Sequence, residues 1–179
     1  MQQGNLPYGY DHKYVYSHFG YNLKATDMQA AIGVAQIKKL PSFIEHRRKN
    51  FKRLMNALEP VADKLILPEA FPHSNPSWFG FPITCTSSME RNKIVDYLEI
   101  NGIQTRTLFA GNFIQHPCFD DIRNNNEEYR IVGSLANTER IMNSTFWVGV
   151  YPGLTEQQID YIASIIIKFV NSYVKEKQS

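Results

Sequence analysis

The run TDMQAAIGVAQIKKL, from Thr26 to Leu40, constrains the fold more than any other part of the chain. Thr26 stands where an N-cap belongs, and Gln29 follows three residues later, the spacing of a capping box. Asp27 falls in the first turn, where a negative charge suits the helix dipole. Met28, Ala31, Ile32, Ala35 and Leu40 recur at helical spacing. Ala30, Ala31, Gly33 and Ala35 keep the helix surface thin, so a second backbone can approach closely. Pro41 then either kinks one long helix or separates two. Phe43, Arg47, Phe51, Leu54, Met55 and Leu58 carry the pattern on to about Glu59, with Ser42 as a possible cap, and Pro60 ends it.

Beyond Pro60 the chain alternates. LILPE (65–69) and SWFGFPITC (77–85) read as strands, with Pro82 pointing to an edge or irregular position. SMERNKIVDYLEING (88–102) reads as a short amphipathic helix stopped at Asn101-Gly102. IQTRTLF (103–109) is a strand, AGNFIQHPCFDD (110–121) a loop, NTERIMNST a helix and FWVGVYP (146–152) a strand. Thr155 and Gln158 form a second capping-box pair. The helix after them carries a buried stripe of Ile159, Ile162, Ala163, Ile166 and Val170. The order β, β, α, β, α, β, α predicts an α+β domain, a small β-sheet covered by helices. Trp78, Phe79 and Trp147 are expected in its core. The domain cut falls near Pro41: residues 1–41 belong to another body, and 42–179 form the small α+β domain.

Before Thr26, the residues Tyr8, Tyr10, Tyr14, Tyr16, Phe19 and Tyr21 make a segment too aromatic for a tail and too irregular to stand alone. A formal charge of +2, from 19 basic and 17 acidic residues, argues against a dedicated nucleic-acid binder. No apolar run approaches the ~20 residues of a membrane span. The start MQQGNLPYGYDHK has neither a basic nor an apolar region of the kind that opens a signal peptide. Cys85 and Cys118 form no CxxC, so a metal knuckle is not expected. A reducing cytoplasmic setting follows, with both thiols in or near the core. His12 and His18 have the wrong spacing for a helical metal pair, and the chain holds no GxSxG, Walker or GxGxxG motif. The residues alone lead to an α+β domain with an aromatic arm.

GYNLKATDMQAAIGVAQIKKLPSFI also resembles the signature segment of the DegT/DnrJ/StrS sugar aminotransferases, a superfamily of dimeric fold-type-I pyridoxal phosphate proteins. Gly20, Asn22, Lys24, Thr26, Asp27, Gln29, Ala30, Ala31, Gly33 and Leu40 match its pattern. Within it, LPYGYDHKYVYSHFGYNLKATDMQAAIG, PSWFGFPI, TRTLFAGN and NTERIMNSTFWVGVYPGLT are similar to the CDP-4-dehydro-6-deoxyglucose 3-dehydratases of O-antigen synthesis. The resemblance implies a C-terminal small domain preceded by an arm and long helix from a large cofactor-binding domain. That large domain would lie upstream, with the catalytic residue, a histidine or lysine. The catalytic set is therefore expected outside this chain.

The resemblance further implies pyridoxamine or pyridoxal 5'-phosphate and a [2Fe-2S] cluster in the full enzyme, the cluster ligands lying upstream. Neither group is expected on this chain alone. The implied partners are a CDP-4-keto-6-deoxyhexose, a second copy in a homodimer and a separate reductase. Asn22 and Lys24 are expected to reach the partner's cofactor phosphate, an amide donating and an amine adding charge. Arg106, Asn112 and His116 are expected at the substrate, an arginine fork being suited to a diphosphate. Two other readings stand beside this one: a pyridoxal-phosphate nucleotide-sugar aminotransferase, and, for the chain taken alone, a non-catalytic or interaction fragment.

Overall fold

The computed structural model describes residues 21, 23–125 and 129–178. The chain divides into two compact units, Met1–Lys39 and Leu40–Ser179. Asn22 and most of the aromatic arm lie outside the described residues.

In the first unit, α1 spans Asp27–Ile37. Its capping box is closed at both ends: the Gln29 amide donates to Thr26 Oγ1 at 3.3 Å, and the Thr26 amide donates to Gln29 Oε1 at 2.9 Å. Two of the helix's orphan donors are thereby satisfied. Every α1 side chain is exposed, Met28, Ile32 and Ile37 included.

The second unit opens with α2, Leu40–Leu58. Pro41 lies in its first turn, where the missing N–H costs nothing. Ser42 is therefore inside the helix and does not cap it. A short 3-10 turn at Glu59–Val61 holds Pro60 and ends the helical run. Next come β1 (Leu65–Ile66), β2 (Gly80–Cys85), α3 (Arg91–Ile100) and β3 (Thr105–Thr107). They are followed by α4 (Asp120–Asn124), α5 (Ala136–Ser144), β4 (Thr145–Gly149) and α6 (Glu156–Gln178). The expected order is present, with α4 and two 3-10 turns set into the segment read as a loop.

The four strands form one sheet in the order β1-β2-β4-β3, and every pairing is antiparallel. Pro82 sits in β2 opposite Trp147. β1 pairs only with Thr84 and Cys85, so at Pro82 the strand is an edge on its other side, which is where a residue without an N–H is tolerated.

The core lies between one face of the sheet and the helices. Phe81, Ile83, Phe146 and Val148 from β2 and β4 meet Leu54 and Leu58 of α2, Ile94 and Leu98 of α3, and Ile159 and Ile166 of α6. All ten are fully buried, each contributing roughly 1.5–3 kcal/mol by leaving water. Asn50 is the buried polar group of α2, and its amide donates to Tyr151 O at 3.0 Å and Leu154 O at 3.4 Å. Cys85 is buried as expected, but Cys118 is exposed, because it sits in a 3-10 turn of the 110–124 segment rather than on a core strand. Phe79 is also outside the core at 64% exposure, and Trp78 and Trp147, both expected in the core, are only half-buried and stand outside the core cluster. Phe79 precedes β2 and lies against Trp147, with ring centroids 5.2 Å apart.

Candidate functional site

The sheet face opposite the core carries the groove. Arg106 of β3 is opposite Trp147 of β4, which is opposite Pro82 of β2. In register, these three side chains share the face that the core residues do not use. Trp147 lies against Gly80, where an added Cβ would come within 2.3 Å of the indole. Its Nε1–H donates to Thr107 O at 3.1 Å. A glycine on one strand and a carbonyl on another thus fix the ring as a floor.

Around this floor is a groove of about 1000 Å³. Phe79, Phe109, Tyr151 and Tyr161 supply aromatic surface to it, and Arg47 and Arg106 supply charge. Among the described residues the lining contains no Asp, Glu, Lys or His. Arg47 reaches it from α2. One of its terminal nitrogens donates to Trp78 O and Phe79 O, both at 3.2 Å, and its guanidinium lies 5.9 Å from the Phe79 ring centroid. Among the described residues Arg106 has no carboxylate partner. The start of its strand is fixed by Glu99, whose Oε1 accepts from the Thr105 N–H and, at 2.8 Å, from the Thr105 hydroxyl. Those two bonds hold the Glu99 carboxyl below the usual carboxylate range. Two guanidiniums, several rings and no anion suit a ligand that is itself anionic and carries a planar ring.

Of the site residues expected from sequence, Arg106 lines this groove. Asn112 and His116 do not: His116 is engaged within the 110–124 segment, and Asn112 both there and with Glu139 of α5. Asn112 is 4% exposed. Its amide donates to Glu139 Oε1 at 2.6 Å, and its carbonyl accepts from the Ile114 N–H at 3.3 Å. His116 Nε2 hydrogen-bonds Ala110 O at 2.6 Å. Arg123 holds the same segment by donating to Ile114 O and, at 2.9 Å, to His116 O. Lys24 is exposed in the residues just ahead of α1, and Asn22 lies outside the described residues.

Arg47 and Phe109 are groove residues that sequence reasoning did not single out. Arg47 left a trace, since it occupies a position on the apolar stripe between Phe43 and Phe51. Phe109 left none, because what places it is a backbone φ of 51°.

Comparison with known proteins gives the groove its context. The chain is 52% identical over 171 residues to lipopolysaccharide biosynthesis protein RfbH of Salmonella typhimurium, covering 94% of this chain and 38% of that protein. It is 48% identical over 169 residues to dTDP-4-dehydro-2,6-dideoxy-D-glucose 3-dehydratase of Saccharopolyspora spinosa, covering 93% and 35%. A crystal structure of GDP-4-keto-6-deoxymannose-3-dehydratase with a trapped PLP-glutamate geminal diamine superposes with a TM-score of 0.70 at 29% identity, covering 82% of this chain and 37% of that one. The chain thus spans little more than a third of the length of these relatives. The model of the DegT/DnrJ/EryC1/StrS aminotransferase family matches residues 2–167, and the chain belongs to that family.

Proposed function

We propose that the chain is the C-terminal part of a pyridoxal-phosphate-dependent enzyme that modifies a nucleotide-linked 4-keto sugar. The observation that carries this is the 48% identity, across 93% of the chain, to a protein named as a nucleotide-sugar 3-dehydratase. The groove agrees with it, since two arginines and aromatic walls, without a carboxylate among the described residues, suit a nucleoside diphosphate.

The groove alone does not fit the cofactor. Pyridoxal phosphate needs an active-site residue at its reactive carbon, the expected histidine or lysine, and a partner at its pyridine nitrogen. Among the described residues the lining has no lysine and no carboxylate, and no chemical step is assigned to them. Their part is to bind and orient the nucleotide end. Asn22 and Lys24, as phosphate contacts across a homodimer, remain part of the proposal.

The aminotransferase-type reading has better support than a cluster-dependent dehydratase of a CDP-sugar. The family carries the aminotransferase name, and the solved relative holds PLP joined to glutamate. Among the described residues no three His, Cys, Asp or Glu side chains gather as metal ligands. The ligands of the expected iron–sulfur cluster are not among the residues of this chain, so that observation bears on neither the cluster nor its reductase. No helix among the described residues is long and apolar enough to cross a membrane. Loss of the 3-hydroxyl is the second reading, favoured by the name of the 48% relative.

The test is the gene product containing this chain, expressed from its natural start and supplied with PLP, glutamate and a nucleotide 4-keto-6-deoxyhexose. A product with an amine at C4 supports amination. A product that has lost the C3 hydroxyl supports dehydration. Recovery of the unchanged sugar would overturn both.

A further inference from the structure

Asn101-Gly102 is the one Asn-Gly pair in the sequence, and it stops α3. The stop needs the glycine, because φ at Gly102 is 76°, a conformation that a Cβ disfavours. The same missing side chain leaves the Gly102 nitrogen unhindered as a nucleophile. The side-chain amide carbon of Asn101 is the electrophile within its reach. In a free chain such a pair closes to a five-membered succinimide and loses ammonia. The fold occupies the atoms that this reaction uses. The Gly102 N–H donates to Glu99 O at 3.0 Å. Asn101 Nδ2, the group that would leave, donates to Tyr97 O at 2.8 Å. From α6, the Tyr161 hydroxyl donates to Asn101 O at 3.0 Å. Ile103 is 6% exposed, and its N–H donates to Leu98 O at 2.9 Å. The attacking species is the deprotonated Gly102 amide, and a hydrogen-bonded amide loses its proton only when its turn opens.

We propose that Asn101 is a deamidation site gated by the fold, closed in the native turn between α3 and β3 and modified when that turn opens. The Gly102 nitrogen gives its proton to solvent and bonds to Asn101 Cγ. The Cγ–Nδ2 bond breaks, and ammonia leaves with a proton from water. One water then opens the ring at either carbonyl, to aspartate or to isoaspartate. Nothing is oxidised or reduced, and no reagent beyond water is consumed. Neither product rebuilds the turn. Aspartate has no Nδ2–H for Tyr97 O and sets a negative charge at the negative end of α3. Isoaspartate adds a carbon to the main chain between Asn101 and Gly102, so the bonds to Glu99 O and Leu98 O lose their spacing. β3 begins just beyond, and Glu99 ties Thr105 to the same helix end. The change is one-way and accumulates in chains that have opened here. It goes beyond the sugar-modifying reading and does not depend on it.

The test is peptide mass spectrometry with isoaspartate detection on the chain, aged in buffer and in urea at one pH and temperature, for the wild type, Tyr161→Phe and Asn101→Gln. In urea, the wild type and Tyr161→Phe should deamidate at Asn101 at the same rate. Asn101→Gln should stay intact there, because glutamine would have to close a six-membered ring. In buffer, the wild type is expected to react about tenfold slower or more, since the reaction waits for local opening. Tyr161→Phe should react faster than the wild type in buffer, and hydrogen exchange at the Gly102 amide should quicken by the same factor. Equal wild-type rates in buffer and in urea would overturn the gate. Faster exchange without faster deamidation would overturn the Gly102 amide as the gating atom. Unchanged exchange and deamidation in Tyr161→Phe would overturn the part of the Tyr161 hydroxyl in the clasp. Tyr161 is 48% exposed, so circular dichroism should match the wild type. If Tyr161→Phe did not fold, the wild-type rates in buffer and in urea would still decide the proposal.

Discussion

Trp147 lies on the bare α-carbon of Gly80, across the β2–β4 pairing, so close that a methyl group there would overlap the indole. The contact sets the height of the groove floor. Gly80→Ala must either push Trp147 away or spread the two strands. Overpacking of this kind costs roughly 1–3 kcal/mol. A lowered Tm together with a changed near-ultraviolet circular dichroism signal is expected. An unchanged spectrum would mean that Trp147 does not rest there.

Asn50 ties α2 to the link between β4 and α6. Its amide serves two backbone carbonyls, Tyr151 O and Leu154 O, in a nearly waterless place. Asn50→Ala removes the donor and leaves the acceptors behind. A cost of about 1–3 kcal/mol is expected from denaturant titration. A loss below half a unit on that scale would show that water replaces the amide.

The two thiols separate by environment. Cys118 is exposed, whereas burial pushes the Cys85 thiol up to about 11, partly offset by the Arg91 charge. A thiol reagent at pH 8 should label Cys118 in the native protein and reach Cys85 only after unfolding. Because the folded value of Cys85 is the higher one, its contribution is complete below the unfolded value near 9 and is lost as pH rises through 11. Rapid labelling of both native thiols would contradict this burial.

Arg53 of α2 holds α6 by its fork, with Nε and Nη2 on the two Asp160 oxygens at 2.7 and 2.8 Å and Nη1 on Glu156 at 2.8 Å. Lys49 adds a 2.6 Å contact to Glu156. The hydrogen bond from Arg53 holds the Asp160 carboxyl below its usual range, and the one from Lys49 does so for Glu156. With folded values depressed, the stabilisation is present above the unfolded carboxylate range near 4 and is lost as pH falls through the folded values. The pairs are exposed, so the effect is small and screened by salt. Arg53→Met should show a shallower fall of Tm between pH 6 and pH 3 than the wild type does. Parallel curves would assign acid sensitivity to other carboxylates.

Where local rules and packing agree, the sequence was readable. Thr26 with Gln29 and Thr155 with Gln158 are capping boxes in sequence and in space. The α6 stripe from Ile159 to Val170 is buried as its period requires. Pro82 announced an edge, though the edge arises only because β1 is two residues long. The site was harder to read because its residues obey no period. Phe79 looks like core and stands out of it, held against Trp147 and Arg47 by ring contacts that a linear pattern does not encode. Phe109 depends on a backbone sign. Asn112 looks like a polar loop residue, and its burial depends on Glu139, which lies on a different helix.

That last pair gives the sharpest test of what Asn112 does. Its amide meets Glu139 Oε1 at 2.6 Å while its carbonyl caps the turn at Ile114, so both ends of the side chain are in use. Asn112→Asp keeps the shape and the capping oxygen but sets a carboxylate against a carboxylate. Two such groups at hydrogen-bond distance cannot both ionise cheaply, and one of them is driven above its ordinary value. Stability should therefore be near wild type below about pH 4, where one proton can be shared. It should fall as pH rises through the raised folded value. If Asn112 fixes the turn, Asn112→Asp should lose CDP affinity in step with stability and regain both on acidification, measured against wild type at each pH. If Asn112 touches the ligand itself, affinity should stay low at the acidic end although the fold has recovered. Full CDP affinity at neutral pH would remove Asn112 from the site altogether.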